Sequence, residues 1–486
     1  MKKSILAVIA MLLCSIMLFG CAETAPKTEA APAAAPKTEA APKADAAPAA
    51  APAEEEGKEY HFRIGCSDEA WRAENLIAAT EMLNEQLAAE GSKDTVSLEY
   101  VVIDDFAATM TLWMQENNLP EFVAQTGLAD WVEAGAIVDA GYVVNGDVYS
   151  EKVAQNLRDM GIMVDGNYYG IILDTECRFV IVYKPALVAL GWSEEQIEQW
   201  KQDARAGKIT TADLQNVAKQ VVDAGICEYG ITHRPNKGAD WRFTFITWNH
   251  GEIPVNDKGQ IVISRQNIID FLSYWRENVR MGITPYNHLT DFNWDMLEGD
   301  IWPNGKSFCW YGQIASKSDI MGKGGVTSDY VNENYFSIPL PVSKAGDTPV
   351  SGSNPYFYGL TTASQVDEKT AEYCKRILEN VLDPQLQLNT SLYKTHLAIT
   401  QETIDLPEYQ ADQWMSDAAY LNDYMFCLPS NKLLSMYGNS QEMYDAIQQA
   451  ELEANDPNAA SIEEIADSLI AKITFNMGEG NYVLVD

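Results

Sequence analysis

The sequence has few of the residues that metal and thiol chemistry require. Only five histidines occur among 486 residues, and the eight cysteines include no C-x-x-C pair and no cysteine–histidine ligand pattern. No G-x-S-x-G stretch is present. We therefore expect no metal site, no cofactor and no hydrolase that uses a nucleophile elbow.

Basic side chains are also scarce. Lysine and arginine number 34 against 70 aspartates and glutamates, which gives a formal net charge of −36. Nucleic acids carry a dense negative charge and bind basic surfaces. This charge balance therefore argues against a nucleic-acid partner.

Long hydrophobic runs are missing beyond the first residues of the chain. Lys2 and Lys3 precede an apolar run at 4–19, which is shorter than the roughly 20 residues of a membrane-spanning helix. This pattern is typical of an export signal. The following Leu18-Phe19-Gly20-Cys21 resembles the bacterial lipoprotein box and predicts a signal peptide at 1–20 and lipidation of Cys21. An ordinary cleaved signal with a chance cysteine is the alternative.

Residues 21–57 lack the large apolar side chains that a core needs. The stretch "APKTEAAP" occurs at 25–32 and again at 35–42, and prolines every few residues disfavour a helix. Such a segment is a solvated spacer. We therefore expect a protein held on the extracellular face of the cell membrane by one lipid anchor, with no other membrane contact.

The rest of the chain alternates between strand and helix patterns. An alternating strand at 60–65, an amphipathic helix at 69–89 and a second strand at 96–103 predict a β-α-β start, which implies a parallel sheet. A strand is also predicted at 179–183. Further helices are predicted at 194–206, 211–223, 267–282 and 369–383. This alternation predicts an α/β fold, and the length is suited to two lobes with a ligand cleft between them.

Six cysteines lie beyond residue 57, and their redox state stays open at this point. An exported chain can form disulfides, but six cysteines allow fifteen pairings and the sequence does not choose among them. Buried free thiols are the alternative.

The order of several motifs resembles that of the extracellular solute-binding proteins of carbohydrate ABC importers, the maltose-binding-like group called family 1. At Pro120-Glu121 the family has Pro-Asp, and Asn167 replaces a family lysine. The six stretches that carry the resemblance are "LPEFVAQTGLADWVEAGAIVDA" (119–140), "VDGNYYGIILDTECRFVIVYKPAL" (164–187), "WNHGEIPVNDKGQIVISRQNIIDFLSYWRE" (248–277), "MLEGDIWPNGKSFCWYGQ" (296–313), "YFSIPLPVSKAG" (335–346) and "SLYKTHLAIT" (391–400).

This resemblance implies a two-lobed, type II periplasmic-binding-protein-like fold that closes on a sugar and delivers it to the permease subunits of an ABC importer. It implies a monomer that performs no chemistry. The lobes are expected at 58–174 with 345–383 and at 179–338 with 389–486, joined by hinges near 174–178, 339–344 and 381–388.

Candidate ligand residues follow two early strands. Asp68 and Trp71 come after the first strand, and Gln125 and Thr126 come after the strand at "EFVA". Ligands of parallel sheets bind at the carboxyl ends of strands. For Asp68 and Trp71, helix capping and packing are the alternatives.

The predicted crossing near 174–178 carries three charged candidates, Asp174, Glu176 and Arg178, in an otherwise apolar strand. Charged side chains are poor core residues, so a ligand contact is favoured. A hinge ion pair between Glu176 and Arg178 is one alternative. A glycosidase that uses Asp174 and Glu176 as its two carboxyl groups is another.

Aromatic candidates come from the second lobe and the return to the first. A sugar site needs aromatic platforms for sugar faces and polar groups for hydroxyls. Trp310 follows a Gly-Lys strand, after which the family has an aromatic platform. The other candidates are Trp241, Trp248, Asn354 and Tyr356.

The ligand class is not fixed by these residues. Arg178, Arg234, Lys237 and Arg242 would also suit a phosphorylated or other acidic solute, because guanidinium groups bind such oxygens in pairs. A surface adhesin or sensor built on the same fold is a further alternative.

Overall fold

The structure is a computed structural model, and it describes residues 57–67, 70–125, 127–161, 163–164, 167–235, 260–353, 355–427, 440–456 and 458–485. The chain divides after Glu54 into two units, and every described residue belongs to the second. The expected signal, the lipidated Cys21 and most of the tether lie outside the described residues.

The strands are β1 (Glu59–Cys66), β2 (Thr95–Val102), β3 (Phe122–Gln125), β4 (Met163–Val164), β5 (Asn167–Tyr168), β6 (Arg178–Tyr183), β7 (Tyr229–Thr232), β8 (Ile261–Ser264), β9 (Ser307–Gln313), β10 (Tyr335–Ile338), β11 (Ser351–Ser353), β12 (Phe357–Leu360), β13 (Met425–Cys427) and β14 (Tyr482–Val485).

The α-helices are α1 (Trp71–Ala89), α2 (Phe106–Gln115), α3 (Ala129–Glu133), α4 (Gly141–Val144), α5 (Asp147–Lys152), α6 (Gln155–Asp159), α7 (Lys184–Ala189), α8 (Glu194–Arg205), α9 (Thr211–Asp223), α10 (Arg265–Arg280), α11 (His288–Asp291), α12 (Trp294–Met296), α13 (Ser316–Gly324), α14 (Ser328–Asn334), α15 (Glu368–Asn380), α16 (Pro384–Lys394), α17 (Gln401–Ile404), α18 (Pro407–Ala411), α19 (Gln413–Ala418), α20 (Ser440–Asn455) and α21 (Ile462–Met477). A π-helical turn spans Leu297–Ile301, and 3₁₀ turns span Thr362–Gln365 and Ala419–Tyr424.

The first sheet has the strand order β12-β3-β1-β2. Strand β1 pairs in parallel with β2 and with β3, which confirms the β-α-β start. Tyr60, Phe62 and Ile64 are buried because alternate residues of a strand share one face. Helix α1 covers this sheet with its apolar stripe of Leu76 and Leu83.

The second sheet has the order β10-β6-β9-β7 and is mostly antiparallel, which differs from the parallel sheet expected from the start of the chain. Strand β6 pairs antiparallel with both β10 and β9, and only the β7–β9 pair is parallel. The chain enters β6 from the crossing and not from a covering helix, so the right-handed crossover rule does not fix its direction.

Alternation within β6 joins the sheet to two hydrophobic cores. Phe179 and Ile181 pack with the core that contains the first sheet. Val180 and Val182 pack with a second core that includes helices α9, α10, α20 and α21. Both faces of the second sheet are therefore covered, which explains the continuous apolar run in β6.

Five cysteines with described side chains, Cys66, Cys177, Cys227, Cys309 and Cys374, are buried free thiols. Burial raises the pKa of the Cys227 thiol to about 12, so this group stays protonated at neutral pH. Within the described part of the chain, no helix combines the length and the apolar character needed to cross a bilayer.

Candidate functional site

Three sequence-predicted residues meet at one edge of the first sheet. Trp71 begins α1 just after β1, and Gln125 ends the neighbouring parallel strand β3. Tyr356 precedes β12, whose first residue Phe357 pairs with Gln125. All three side chains are partly exposed. The carboxyl edge of the first sheet therefore presents aromatic and amide groups to solvent.

Arg72 joins these aromatic rings into a cluster. Its guanidinium carbon lies 3.6 Å from the centre of the Tyr356 ring and 4.1 Å from that of Trp71. A guanidinium over an aromatic face is an attractive contact. Arg72 is only 2% exposed, and it lies on the buried stripe of α1. It therefore fixes the position of both rings.

The crossing between β5 and β6 brings its carboxylates to the same place. Asp174 accepts a hydrogen bond from Arg72 at 3.4 Å and lies 2.7 Å from Nδ1 of His396. A backbone bridge between Thr175 and Leu397 holds the crossing against the loop that carries His396. The loop turns at Thr395, whose φ of 53° is in the left-handed region. Thr395 is the C-cap of α16, and a left-handed residue commonly ends a helix.

The charge state of Asp174 follows from this environment. Burial raises the pKa of its carboxyl group, but the Arg72 guanidinium and His396 outweigh burial and hold the pKa below its ordinary value of 3.8. Asp174 is therefore ionised at neutral pH and is 5% exposed. A buried carboxylate held by two partners orients its neighbours and has little access to a solute.

Glu176 is the more accessible of the two carboxylates. Arg178 donates a hydrogen bond to Glu176 at 3.2 Å, so the two residues form the ion pair that the sequence analysis gave as an alternative to a ligand contact. Nε2 of His396 lies 3.7 Å from the other Glu176 oxygen. Side-chain exposure is 19% for Glu176 against 2% for Arg178. Glu176 can therefore face a solute while Arg178 and His396 hold it.

Residues from helices and turns beyond the second sheet extend the cluster. Burial, followed by the Glu298 and Glu176 carboxylates, raises the pKa of Asp319 on α13 to about 7, and Lys323 and Arg234 act in the opposite direction. Lys323 is paired with Glu298 at 2.8 Å. The guanidinium of Arg234 lies 4.9 Å from the centre of the Trp294 ring. Glu176 is thus close enough to Asp319 on α13 to affect its pKa, while it is paired with Arg178 at the start of β6.

Trp310 does not join this cluster. It is 0% exposed within β9, and its ring stacks on Trp302 with 4.9 Å between centroids and 7° between planes. Tyr335 packs edge-on at 5.4 Å. Strand β9 is paired at both edges, and its residues pack into both hydrophobic cores, so both of its faces are covered. Trp310 is therefore a core residue and not the exposed ligand platform that the sequence analysis predicted.

The remaining predicted residues cannot be placed. Asp68, Thr126, Trp241, Trp248 and Asn354 lie outside the described residues. Lys237 and Arg242, which entered the acidic-solute alternative, do so as well.

The sequence interpretation missed Arg72 and His396. A signal for Arg72 exists, because a lone arginine shares the apolar stripe with Leu76, Ala79 and Leu83. His396 has no comparable signal. It lies 222 positions from its partner Asp174, in a loop without periodicity.

Comparison with known proteins gives the fold. No family model and no curated protein sequence matches the chain. Solved structures do match, each over 86% of this chain. One is the cyclic α-maltosyl-1,6-maltose binding protein from Arthrobacter globiformis, with a TM-score of 0.64, 12% identity and 99% of that chain covered.

Two others are similar at the same level. The sugar-binding protein MalE from Xanthomonas citri has a TM-score of 0.62, 15% identity and full coverage of that chain, which is 100%. A family 1 extracellular solute-binding protein from Alicyclobacillus acidocaldarius has a TM-score of 0.62, 12% identity and 98% coverage of that chain. The α/β fold of two-lobed solute-binding proteins is therefore confirmed.

Proposed function

We propose that this protein captures a mono- or oligosaccharide between its lobes and delivers it to an ABC importer. The observation that carries the proposal is the cluster of Trp71, Tyr356 and Glu176. It offers aromatic rings for the weakly polar faces of a sugar and a carboxylate for its hydroxyls. Proteins of the same fold bind sugars, including maltose, laminaribiose and tagatose.

The charges in the cluster favour a neutral sugar over an acidic solute. Arg72 is paired with Asp174, and Arg178 is paired with Glu176. Each guanidinium charge is therefore already balanced by a carboxylate. An anionic ligand would have to displace one of these carboxylates, which costs more than binding a hydroxyl.

The same geometry argues against a glycosidase that uses Asp174 and Glu176 as its two carboxyl groups. A general acid of that class needs a carboxyl group with a raised pKa, whereas the pKa of Asp174 is lowered. Asp174 is also buried beneath Arg72 and His396. We therefore propose a protein that binds its solute and does not transform it.

Closure of the lobes supplies the signal to the transporter. A ligand that contacts both lobes stabilises the closed state by the additional contact energy alone. We propose lobes at 58–174 with 345–383 and at 179–338 with 389–486, with hinges near 174–178, 339–344 and 381–388. One copy of the chain is sufficient for this mechanism, and the permease subunits are its partners.

A thermal-shift panel tests the function. Maltose, maltotriose, laminaribiose, acarbose and tagatose are each added to the purified protein. A sugar at a hundred times its Kd should stabilise the fold by about 2.7 kcal/mol. Trp71→Ala should abolish the shift, and Trp192→Ala is the matched control, since Trp192 is another partly exposed tryptophan. A panel without any shift, together with a shift from organophosphates, would favour the acidic-solute alternative.

We also propose that Cys21 carries the lipid that holds the protein at the extracellular face of the membrane. One anchor of two or three acyl chains is sufficient, at about 0.8 kcal/mol for each buried methylene. Cys21→Ser should move the protein from the membrane fraction to the soluble fraction, and Cys14→Ser is the control within the signal. Membrane retention of the Cys21→Ser variant would contradict the anchor.

A further inference from the structure

His396 lies between two carboxylates at the crossing. Its Nδ1 is 2.7 Å from Asp174, and its Nε2 is 3.7 Å from Glu176. The ring is 6% exposed and packs edge-on against Trp71 at 5.1 Å. One imidazole therefore contacts both carboxylates and one aromatic ring of the candidate site.

Charged groups from every surrounding element face this imidazole or its partners. The crossing supplies Asp174, Glu176 and Arg178, and α1 supplies Arg72. Lys394 ends α16 and lies 5.8 Å from the Trp71 ring. Helix α13 reaches the same loop through Ser318, whose hydroxyl accepts a hydrogen bond from Thr395 at 3.3 Å, and the next residue of that helix is Asp319.

We propose that His396 is a positioning residue that aims Glu176 at the solute, and that solute capture at this site is therefore coupled to proton uptake. This inference rests on the proposed function for its ligand, and on the geometry of His396 alone for its mechanism.

The direction of the coupling follows from hydrogen-bond chemistry. A protonated imidazole donates a hydrogen bond to Asp174 and attracts Glu176 by its positive charge across the 3.7 Å between Nε2 and that carboxylate. The neutral ring keeps one N–H. This N–H is placed on Nδ1, where it donates to Asp174 at the shorter distance of 2.7 Å. Its Nε2 lone pair then faces the Glu176 oxygen, and two acceptors repel each other. Glu176 is therefore held less firmly at higher pH, and affinity falls.

Asp319 acts in the same direction. Burial together with the Glu298 and Glu176 carboxylates raises the pKa of Asp319 to about 7. Ionisation of Asp319 above that pH adds a negative charge near Glu176. Protonation of either residue relieves repulsion around Glu176, so both favour capture at lower pH.

The affinity arm of the test measures Kd by calorimetry at about pH 6 and about pH 8.5, across the usual titration range of histidine. The probe is whichever sugar of the panel gives the largest thermal shift. We expect affinity to be about fivefold weaker at the higher pH. In His396→Gln the ratio should fall, because the amide donor does not titrate, and in His396→Gln combined with Asp319→Asn it should fall below about twofold. His61→Gln is the control, since His61 is exposed in β1.

A second arm needs no ligand and separates this inference from the proposed function. Histidine resonances are followed by NMR through a pH titration, and the His396 signal is assigned by its loss in His396→Gln. Replacing Glu176 with Gln should displace the His396 ring resonances at a given pH, because the carboxylate that lies 3.7 Å from Nε2 is removed. Unchanged His396 resonances, or an equal pH ratio in His396→Gln and the unmodified protein, would overturn the proposal. If no sugar binds at all, the proposed function fails and this arm alone decides the role of His396.

Discussion

Two aromatic clusters in this protein contain the same residue types but differ in what surrounds them. In the first, Trp71 and Tyr356 contact the guanidinium of Arg72 and remain partly exposed. In the second, Trp302 and Trp310 stack on each other and are fully buried. Only the first cluster shares its surface with charged groups, and such a surface is what the proposed sugar site requires. Without such groups, burial in a core is the stable arrangement.

The largest effect on stability is expected when a ring is removed from the buried cluster. Trp310→Ala leaves a cavity beneath Trp302 and Tyr335, and we expect a loss of about 3–5 kcal/mol in the free energy of unfolding. Chemical denaturation measures this loss. Sugar affinity of the folded fraction should stay unchanged. A variant that kept its stability and lost its sugar would show Trp310 to be a ligand platform after all.

A smaller effect on the free energy of unfolding is expected at Asp319, which lies among the charged groups near Glu176. Its pKa is raised to about 7 by burial and by the Glu298 and Glu176 carboxylates, so the folded state holds this proton to higher pH than the unfolded state. Stability therefore falls as pH rises from about 4 to about 7. Asp319→Asn removes this loss and should be more stable by about 2 kcal/mol at alkaline pH, where Asp319 is ionised.

Denaturation of both proteins across this pH range measures the effect. The control is Asp329→Asn on α14, where the side chain is exposed. A pH dependence of stability that is identical in Asp319→Asn and the unmodified protein would contradict the raised pKa.

The smallest effect on stability is expected at Glu176, where ligand binding is the sensitive quantity. Glu176→Gln keeps the size and shape of the side chain but removes the carboxylate charge that, in the proposed site, accepts hydrogen bonds from sugar hydroxyls. Affinity should fall about tenfold, which corresponds to about 1.4 kcal/mol for a lost charge-assisted hydrogen bond. Calorimetry with the best panel sugar measures it, and Glu194→Gln, which lies on α8, is the control. Equal affinity in both variants would place the ligand elsewhere.

Much of the fold was predictable because its elements carry strong local patterns. The helices expected at 69–89, 194–206 and 211–223 are confirmed as α1, α8 and α9 within two residues at each end. Ser193 and Thr210 each form a capping box at the start of α8 and α9, which fixes those ends locally. The antiparallel second sheet was not predictable, since strand direction depends on connections that no local pattern records.

The candidate site was predictable only in part. Trp71, Glu176 and Tyr356 could be proposed because they follow strands or interrupt an apolar run. Trp310 carried a similar sequence signal and is buried, because exposure depends on neighbours that are distant in sequence. His396 gave no signal, since its role arises from a contact across 222 positions.

The pairing of β8 with β14 has a consequence for how the molecule is made. Ile261 pairs with Tyr482 and Ser264 with Val485, so two segments more than two hundred residues apart complete one small sheet. The second of these strands is synthesised long after the first, because the two are distant in sequence. Helices α20 and α21, which fill the second core, are also distant in sequence from α9 and α10, with which they share that core. We therefore expect this half of the molecule to stay unfinished until these distant segments have been synthesised.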